Sequence, residues 1–222
     1  MSFQPVRGRL HRKIGKQLER HYGETDMPRR SKIGNQLIEA WTQTVEKDYC
    51  SGHVNSERSL QALLLANLRA VFDDSETKRQ VFVEPTLKLS DGSVIRPDMM
   101  ICNAREVICV LELKYVPRGV ADTAKDMRSI ASIAQASELS VALERYRGPE
   151  LPRLSFDVSQ TVLFAWAGIH CGGTEPAHEW NAPAFAAHYF LELHAVTAEG
   201  QVPKLRYNAK GLRVTGDEPI ET

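Results

Sequence analysis

The sequence predicts a mixed α/β sheet covered by helices, and three observations carry that class. Between residues 80 and 115 three strand-like runs follow one another, joined by short turns. Helical stretches stand on either side of this triplet. A strongly apolar strand at 158–168, with Val162, Leu163, Phe164, Ala165 and Trp166, follows the second helix. The predicted order is helix, three-strand meander, helix, strand, with further elements at both ends.

Residues 8–22 read as a short basic helix, and the stretch 23–30 with Pro28 breaks it. Ser31 is an N-cap candidate for a second helix. There Ile33, Leu37, Trp41 and Val45 recur at helical spacing and form one apolar stripe. It ends near Tyr49, ahead of Ser51-Gly52. Residues 1–50 thus form a basic N-terminal helical appendage, packed by that stripe on a main α/β domain at 51–222. Asn55 or Ser56 caps a third helix to about Phe72, whose apolar face is Leu60, Leu64, Leu68, Val71 and Phe72. Glu57 falls within about 20° of Leu64 on the helical wheel, on the core side of the first turn. A first-turn carboxylate favoured by the helix dipole is the plain alternative.

The run 80–89 leads through Ser90-Asp91-Gly92 into 94–102, and Asp-Gly between two such runs signals a tight hairpin. Glu84, Thr86 and Lys88 leave one face of the first run polar, as on an edge strand. Asn103-Ala104-Arg105 turns into 106–115. There Ile108 and Val110 occupy one face and Cys109, Leu111 and Leu113 the other, so the strand is central and covered on both sides. With Cys102 opposite Glu106 across the turn, Asp98 lies opposite Val110. Val110, Glu112 and Lys114 then share its face, with Glu112 diagonal to Asp98 at roughly 7–8 Å. A slip of one residue would destroy this convergence. After Pro117-Arg118-Gly119 a helix is expected over 121–146, with Met127, Ile130 and Ile133 as its larger apolar residues and Gly148-Pro149 as its stop. Residues 188–196 alternate like a strand, and Ala198-Glu199-Gly200 turns them toward 202–207.

Composition excludes little. At 222 residues, 42% hydrophobic and 25% charged with no net charge, the chain is an ordinary globular protein of one large domain or one with an appendage. The first 32 residues are basic: Arg7, Arg9, Arg12, Lys13, Lys16, Arg20, Arg29, Arg30 and Lys32 stand against Glu19, Glu24 and Asp26. A solvated helix face and a nucleic-acid contact both fit that run. The four cysteines show no paired spacing, and Cys102 and Cys109 are expected as buried free thiols. No signal-peptide pattern and no membrane-length apolar run is present, so a cytoplasmic protein with no membrane partner is expected.

The chemistry concentrates in Asp98, Glu112 and Lys114. Two convergent carboxylates with few polar neighbours repel each other and lose hydration. A divalent cation relieves both penalties, and oxygen-only ligands favour Mg²⁺ or Mn²⁺ over zinc. Such an ion lowers the pKa of a bound water and stabilises charge developing on phosphorus. Lys114 would orient or help deprotonate the attacking water, or neutralise the phosphate, and Glu57 could extend the ligand shell. The alternative is a strand-end salt bridge of Lys114 with Asp98 or Glu112.

Pro97-Asp98, thirteen intervening residues and then Glu112-Leu113-Lys114 resembles the signature of the PD-(D/E)XK nuclease superfamily, which has the restriction-endonuclease-like fold. The order of elements over 55–168 agrees with that family's core. The resemblance implies Asp98 and Glu112 as metal ligands, Lys114 as catalytic lysine and Glu57 as accessory acid and ligand. The implied activity is Mg²⁺- or Mn²⁺-dependent hydrolysis of phosphodiesters, with DNA the first choice of partner and RNA the second. Cutting both strands takes two sites, which points to a homodimer. A nuclease-like module that only binds nucleic acid or a protein is the alternative. Family members related to recombination exonucleases carry Gln and, four residues on, Tyr on the following helix; here Gln135 is followed by Leu139. Lys125, Asp126, Arg128 and Gln135 are further candidates to reach the cleft.

Other features read as structural. Cys50 and His53 have ligand spacing but no second pair. His170, Cys171, His178, His188 and His194 are scattered, with His170 at a strand end. Gly172-Gly173 is a turn, and Trp166 and Trp180 are core residues.

Overall fold

The computed structural model describes residues 30–89, 92–104, 106–136, 140–143 and 154–212. The basic helix expected at 8–22, its break before Arg30, and the Gly148-Pro149 stop lie outside them.

Helix α1 (Ser31–Gln43) runs on as a π-helical turn to Tyr49. Its expected stripe is real: Ile33, Leu37, Trp41 and Val45 are all buried. Ser31, however, does not cap it. Ser31 is the first helical residue and wholly buried, and the cap position belongs to Arg30. The Arg30 side chain is also buried. Its Nε donates to the Thr161 carbonyl at 2.7 Å, its Nη2 donates to Ser159 Oγ at 2.7 Å, and Glu106 lies 3.9 Å away. A guanidinium held in this way is a structural cation, which removes Arg30 from the basic face read from the sequence. Helix α2 (Glu57–Asp74) starts at Ser56, whose Oγ accepts from the Ser59 amide while Ser59 Oγ accepts from the Ser56 amide.

Strand β1 (Gln80–Val83) is shorter than expected. Glu84 follows with φ 47°, a left-handed conformation that no strand continues through, and then Pro85. The rest of the expected first strand is β2 (Leu87–Lys88), which among the described residues pairs only with β3 (Val94–Ile95), near Gly92 at φ 84°. The predicted hairpin exists, as a small ribbon outside the main sheet. Strand β4 (Met99–Cys102) and the long β5 (Glu106–Val116) complete the meander.

Helix α3 (Ala124–Gln135) ends eleven residues before the expected Tyr146. Met127, Ile130 and Ile133 form its buried stripe. Ala136 is already extended, and β6 (Ser140–Leu143) pairs with the start of β7 (Leu154–His170). The positions three and four residues after Ile133 are Ala136 and Ser137, so the run of large apolar residues Met127, Ile130 and Ile133 is not continued in the next turn. Strands β8 (Tyr189–Val196) and β9 (Lys204–Lys210) follow two short 3₁₀ turns that carry Trp180 and Phe185.

The seven-stranded sheet has the order β1-β4-β5-β7-β8-β9, with β6 beside β7. Strands β5, β7 and β8 are mutually parallel and the outer pairs antiparallel, so the sheet is mixed. As expected, β1 is an edge and β5 is central. One face carries α1 and α2, with Leu37, Leu64, Leu111, Leu163 and Leu193 in the layer between. The other carries α3 and the 3₁₀ turns over Met100, Val110, Phe164 and Trp166. Each fully buried leucine contributes roughly 1.5–3 kcal/mol of transfer energy. A bulge near Ile108 turns that residue to the α1/α2 side with Cys109, not to the side of Val110 as strict alternation predicted.

Candidate active site

Asp98 stands immediately before β4, and its position is secured through its backbone. Its carbonyl accepts from Gln61 Nε2 at 3.0 Å and from the Glu84 amide at 2.9 Å. The left-handed turn at Glu84 thus ends β1 and aims an N–H at Asp98. Register comes from β4 against β5. Met100 lies opposite Val110 and Met99 opposite Leu111, so the next step brings Asp98 across from Glu112. The expected pairing of Cys102 with Glu106 is replaced by Cys102 with Val107, and an irregularity between Ile101 and Cys102 adds a further residue. The total shift of two residues preserves side-chain parity. Asp98, Glu112 and Lys114 therefore do share a face, and the carboxylates face each other directly instead of diagonally.

That face is the one covered by α3. Glu112 is 7% exposed. Burial, the neighbouring Asp98 charge and a hydrogen bond between the two carboxyl groups push its pKa from 4.5 up to about 9. Asp98 is also raised, by burial, although the Leu113 amide donating to its Oδ2 at 2.6 Å and the bond from Glu112 hold it down. The pair keeps a proton between its two carboxyl groups because two adjacent charges cannot both be sustained there.

Lys114 forms its ion pair with neither acid. Its Nζ lies 3.1 Å from Oδ2 and 3.3 Å from Oδ1 of Asp126, in the first turn of α3. Burial pulls the Lys114 ammonium pKa down, but Asp126, with Glu57 and Asp98 beyond it, more than compensates, and the net shift is upward. Asp126 is 8% exposed, and its Oδ2 also accepts from Trp166 Nε1 at 3.3 Å. Of the four helix candidates only Asp126 enters the site. Lys125, Arg128 and Gln135 are exposed on the far side of α3.

Glu57 comes from the opposite layer. Its Oε2 accepts from the Tyr115 amide at 3.3 Å, where the start of α2 overhangs β5. It lies at the angle of the core stripe, as the helical wheel predicts, but is exposed; Gln61, one turn on, is the buried polar residue. Partial burial and the Asp98 charge raise its pKa.

The donor set suits a hard cation: the half-buried Asp98 and the buried Glu112 offer oxygens that share a proton for want of a positive charge. Among the described residues no three of His, Cys, Asp and Glu are arranged to hold one ion, so the fit rests on Asp98 and Glu112. Magnesium is commonly held by one or two carboxylates with water completing its shell.

A second polar centre lies on the same sheet face. Glu192 accepts from the Ala177 amide at 2.9 Å, Trp180 Nε1 at 2.6 Å and Asn208 Nδ2 at 2.8 Å, with His194 Nε2 at 3.4 Å. His194 Nδ1 meets His170 Nε2 at 2.9 Å, and His170 Nδ1 accepts from the Gly172 amide at 3.0 Å. The scatter of these residues along the sequence hid this chain. Trp166 and Trp180 are core residues, as expected, each with its indole N–H bonded to a buried carboxylate. Cys102 and Cys109 are free and buried, with burial pushing both thiols up to about 12. Cys50 and His53 are exposed, and His53 faces Asp48. Among the described residues no helix is long and apolar enough to cross a membrane.

No family model matches this sequence, and no curated protein does. Two solved structures resemble the chain loosely. NucC of P. aeruginosa ATCC27853 in its cAAA-bound form has 11% identity and a TM-score of 0.42, over 81% of this chain and 83% of that one. NucC of E. coli MS115-1, also cAAA-bound, has 10% identity and a TM-score of 0.40, over 82% and 83%. Likenesses this distant add nothing to the reading of the site, which stands on its own geometry.

Proposed function

We propose that the protein is a metal-dependent nuclease hydrolysing phosphodiester bonds, with DNA as its first substrate. The observation that supports this reading is the Asp98–Glu112 pair, half-buried at Asp98 and buried at Glu112 and short of one positive charge, with the Lys114 ammonium beside it and paired elsewhere. Asp98 and Glu112 would hold Mg²⁺ or Mn²⁺, and Glu57 would bear on the ion from the α2 side. When bound, such an ion supplies positive charge at the phosphate and lowers the pKa of water. Lys114 places its ammonium where a non-bridging phosphate oxygen or the attacking water can be oriented. The Leu113 amide and the bonds to the Asp98 carbonyl keep Asp98 from turning away. Cutting both strands would need two such sites, which a second copy of the chain would supply.

The test is incubation of the purified protein with plasmid, linear duplex, single-stranded DNA and RNA, in Mg²⁺ or Mn²⁺ against EDTA. Cation-dependent cleavage lost in Asp98→Ala and Lys114→Ala supports the reading, and wild-type cleavage by either variant overturns it. That among the described residues no third ligand joins the two carboxylates favours one alternative, a nuclease-like module that binds nucleic acid or a protein without cutting. Binding without turnover in every condition would establish that alternative.

A further inference from the structure

Lys114 is two residues from Glu112 on the same strand face, and Asp98 and Glu57 both act on its charge. An unrestrained ammonium there would settle on the acidic pair, where it would relieve the repulsion that a divalent cation is meant to relieve. It does not do so. Among the described residues its ion pair is with Asp126, through both carboxylate oxygens at 3.1 and 3.3 Å.

The seat of Asp126 is built for this. The first-turn position suggests a helix-dipole acid, but the Ala124 amide at that helix start is bonded to Asp122 Oδ1 at 3.0 Å, not to Asp126. Asp126 turns inward instead, where Trp166 Nε1 fixes its Oδ2 at 3.3 Å. Trp166 pairs in register with Glu112, and Gly168 pairs with Lys114. A Cβ on Gly168 would lie 2.1 Å from the Trp166 ring, so the indole lies over the glycine. Gly168 thereby admits the ring, the ring fixes Asp126, and Asp126 holds the lysine. We propose that Asp126 is a positioning residue that keeps Lys114 off the Asp98–Glu112 pair and so preserves that pair as a divalent-cation site. The proposal rests on the nuclease reading above and adds a role outside the signature residues.

The experiment is Mn²⁺ binding to the full-length protein, read by electron paramagnetic resonance of the free ion, with circular dichroism as the check on folding. Asp126→Asn is expected to weaken Mn²⁺ binding by about 10–100-fold, the range for residues that orient metal ligands. Adding Lys114→Met to that variant removes the displaced ammonium and is expected to return the affinity to near wild type. A purely structural role for Asp126 would give no such rescue. Wild-type affinity in Asp126→Asn, or a loss that Lys114→Met leaves untouched, overturns the proposal while the nuclease reading stands. Failure of the wild-type protein to bind Mn²⁺ overturns both. If Asp126→Asn does not fold, Trp166→Phe takes its place: the same loss and the same rescue are expected, and their absence is equally decisive.

Discussion

Glu112 and Glu192 occupy one row of the sheet, with Trp166 between them in register and Asn208 beyond Glu192. They are 7% and 3% exposed, so burial penalises the charge of both. Their outcomes are opposite. Glu112 is raised far above the carboxylate range. Glu192 is lowered, because His194, the Ala177 amide, Asn208 and Trp180 outweigh its burial. Depth does not separate them; the supply of donors does. At Glu192 the fold provides a donor for each oxygen. At Glu112 it places a second acid and turns the nearest ammonium toward Asp126. Buried acids left short of donors are where functional sites concentrate, which makes Glu112 part of the candidate site and sets Glu192 apart as scaffold beside it.

The largest effects should separate these two roles. Asp98→Asn keeps shape and loses charge, and is expected to reduce cation-dependent cleavage by at least about 10²–10³-fold with little change in melting temperature. Glu192→Ala should do the reverse: by leaving His194, Trp180 and Asn208 short of a buried partner it costs about 3 kcal/mol or more in urea unfolding. A Glu192 variant that is fully stable but inactive would erase the distinction.

The contrast between the two centres also explains what could be read in advance. Asp98, Glu112 and Lys114 were legible because strand alternation is a local rule, and the error of two residues in register happened to preserve parity. Trp166 was legible only as core, because its indole N–H finds Asp126 forty residues away. Asp126 was one of four polar candidates on its helix, and only the rotation of that helix on the sheet selects it. Gln61 was missed although it occupies the α2 core stripe, where a buried amide is the signal. The Glu192 network joins β7, β8, β9 and a 3₁₀ turn, and no pattern along the chain announces it. Glu57 differs in another way: the wheel gives its angle, but a first-turn residue overhangs the strand end and stays exposed.

An intermediate effect is expected where the two centres meet. Gly168→Ala drives a methyl group into the Trp166 ring, which also packs against His170 and His194 at 5.8 and 5.4 Å. Overpacking of this kind costs about 1–3 kcal/mol. Because the displaced indole would also release Asp126, the variant should lose stability and cleavage together, as neither single-centre variant does. Thermal unfolding paired with the plasmid assay would detect the coupling, and an unchanged cleavage rate would place Trp166 outside the site.

The smallest effect carries the comparison into pH. Between 4.5 and about 9 folded Glu112 keeps a proton that the unfolded chain releases, so the cation-free protein should lose stability as pH rises through that window. The slope is at most about 1.4 kcal/mol per pH unit for one proton. Glu192 has the other sign. Its folded pKa is depressed, so its contribution is present above 4.5 and disappears as pH falls through the folded value. Urea titrations of the cation-free protein at a series of pH values should therefore show the alkaline slope reduced in Glu112→Gln and the acid slope reduced in Glu192→Gln. If Glu112→Gln leaves the alkaline slope intact, the proton is held elsewhere, and Asp98 and Glu112 are not the charge-deficient pair on which a cation site depends.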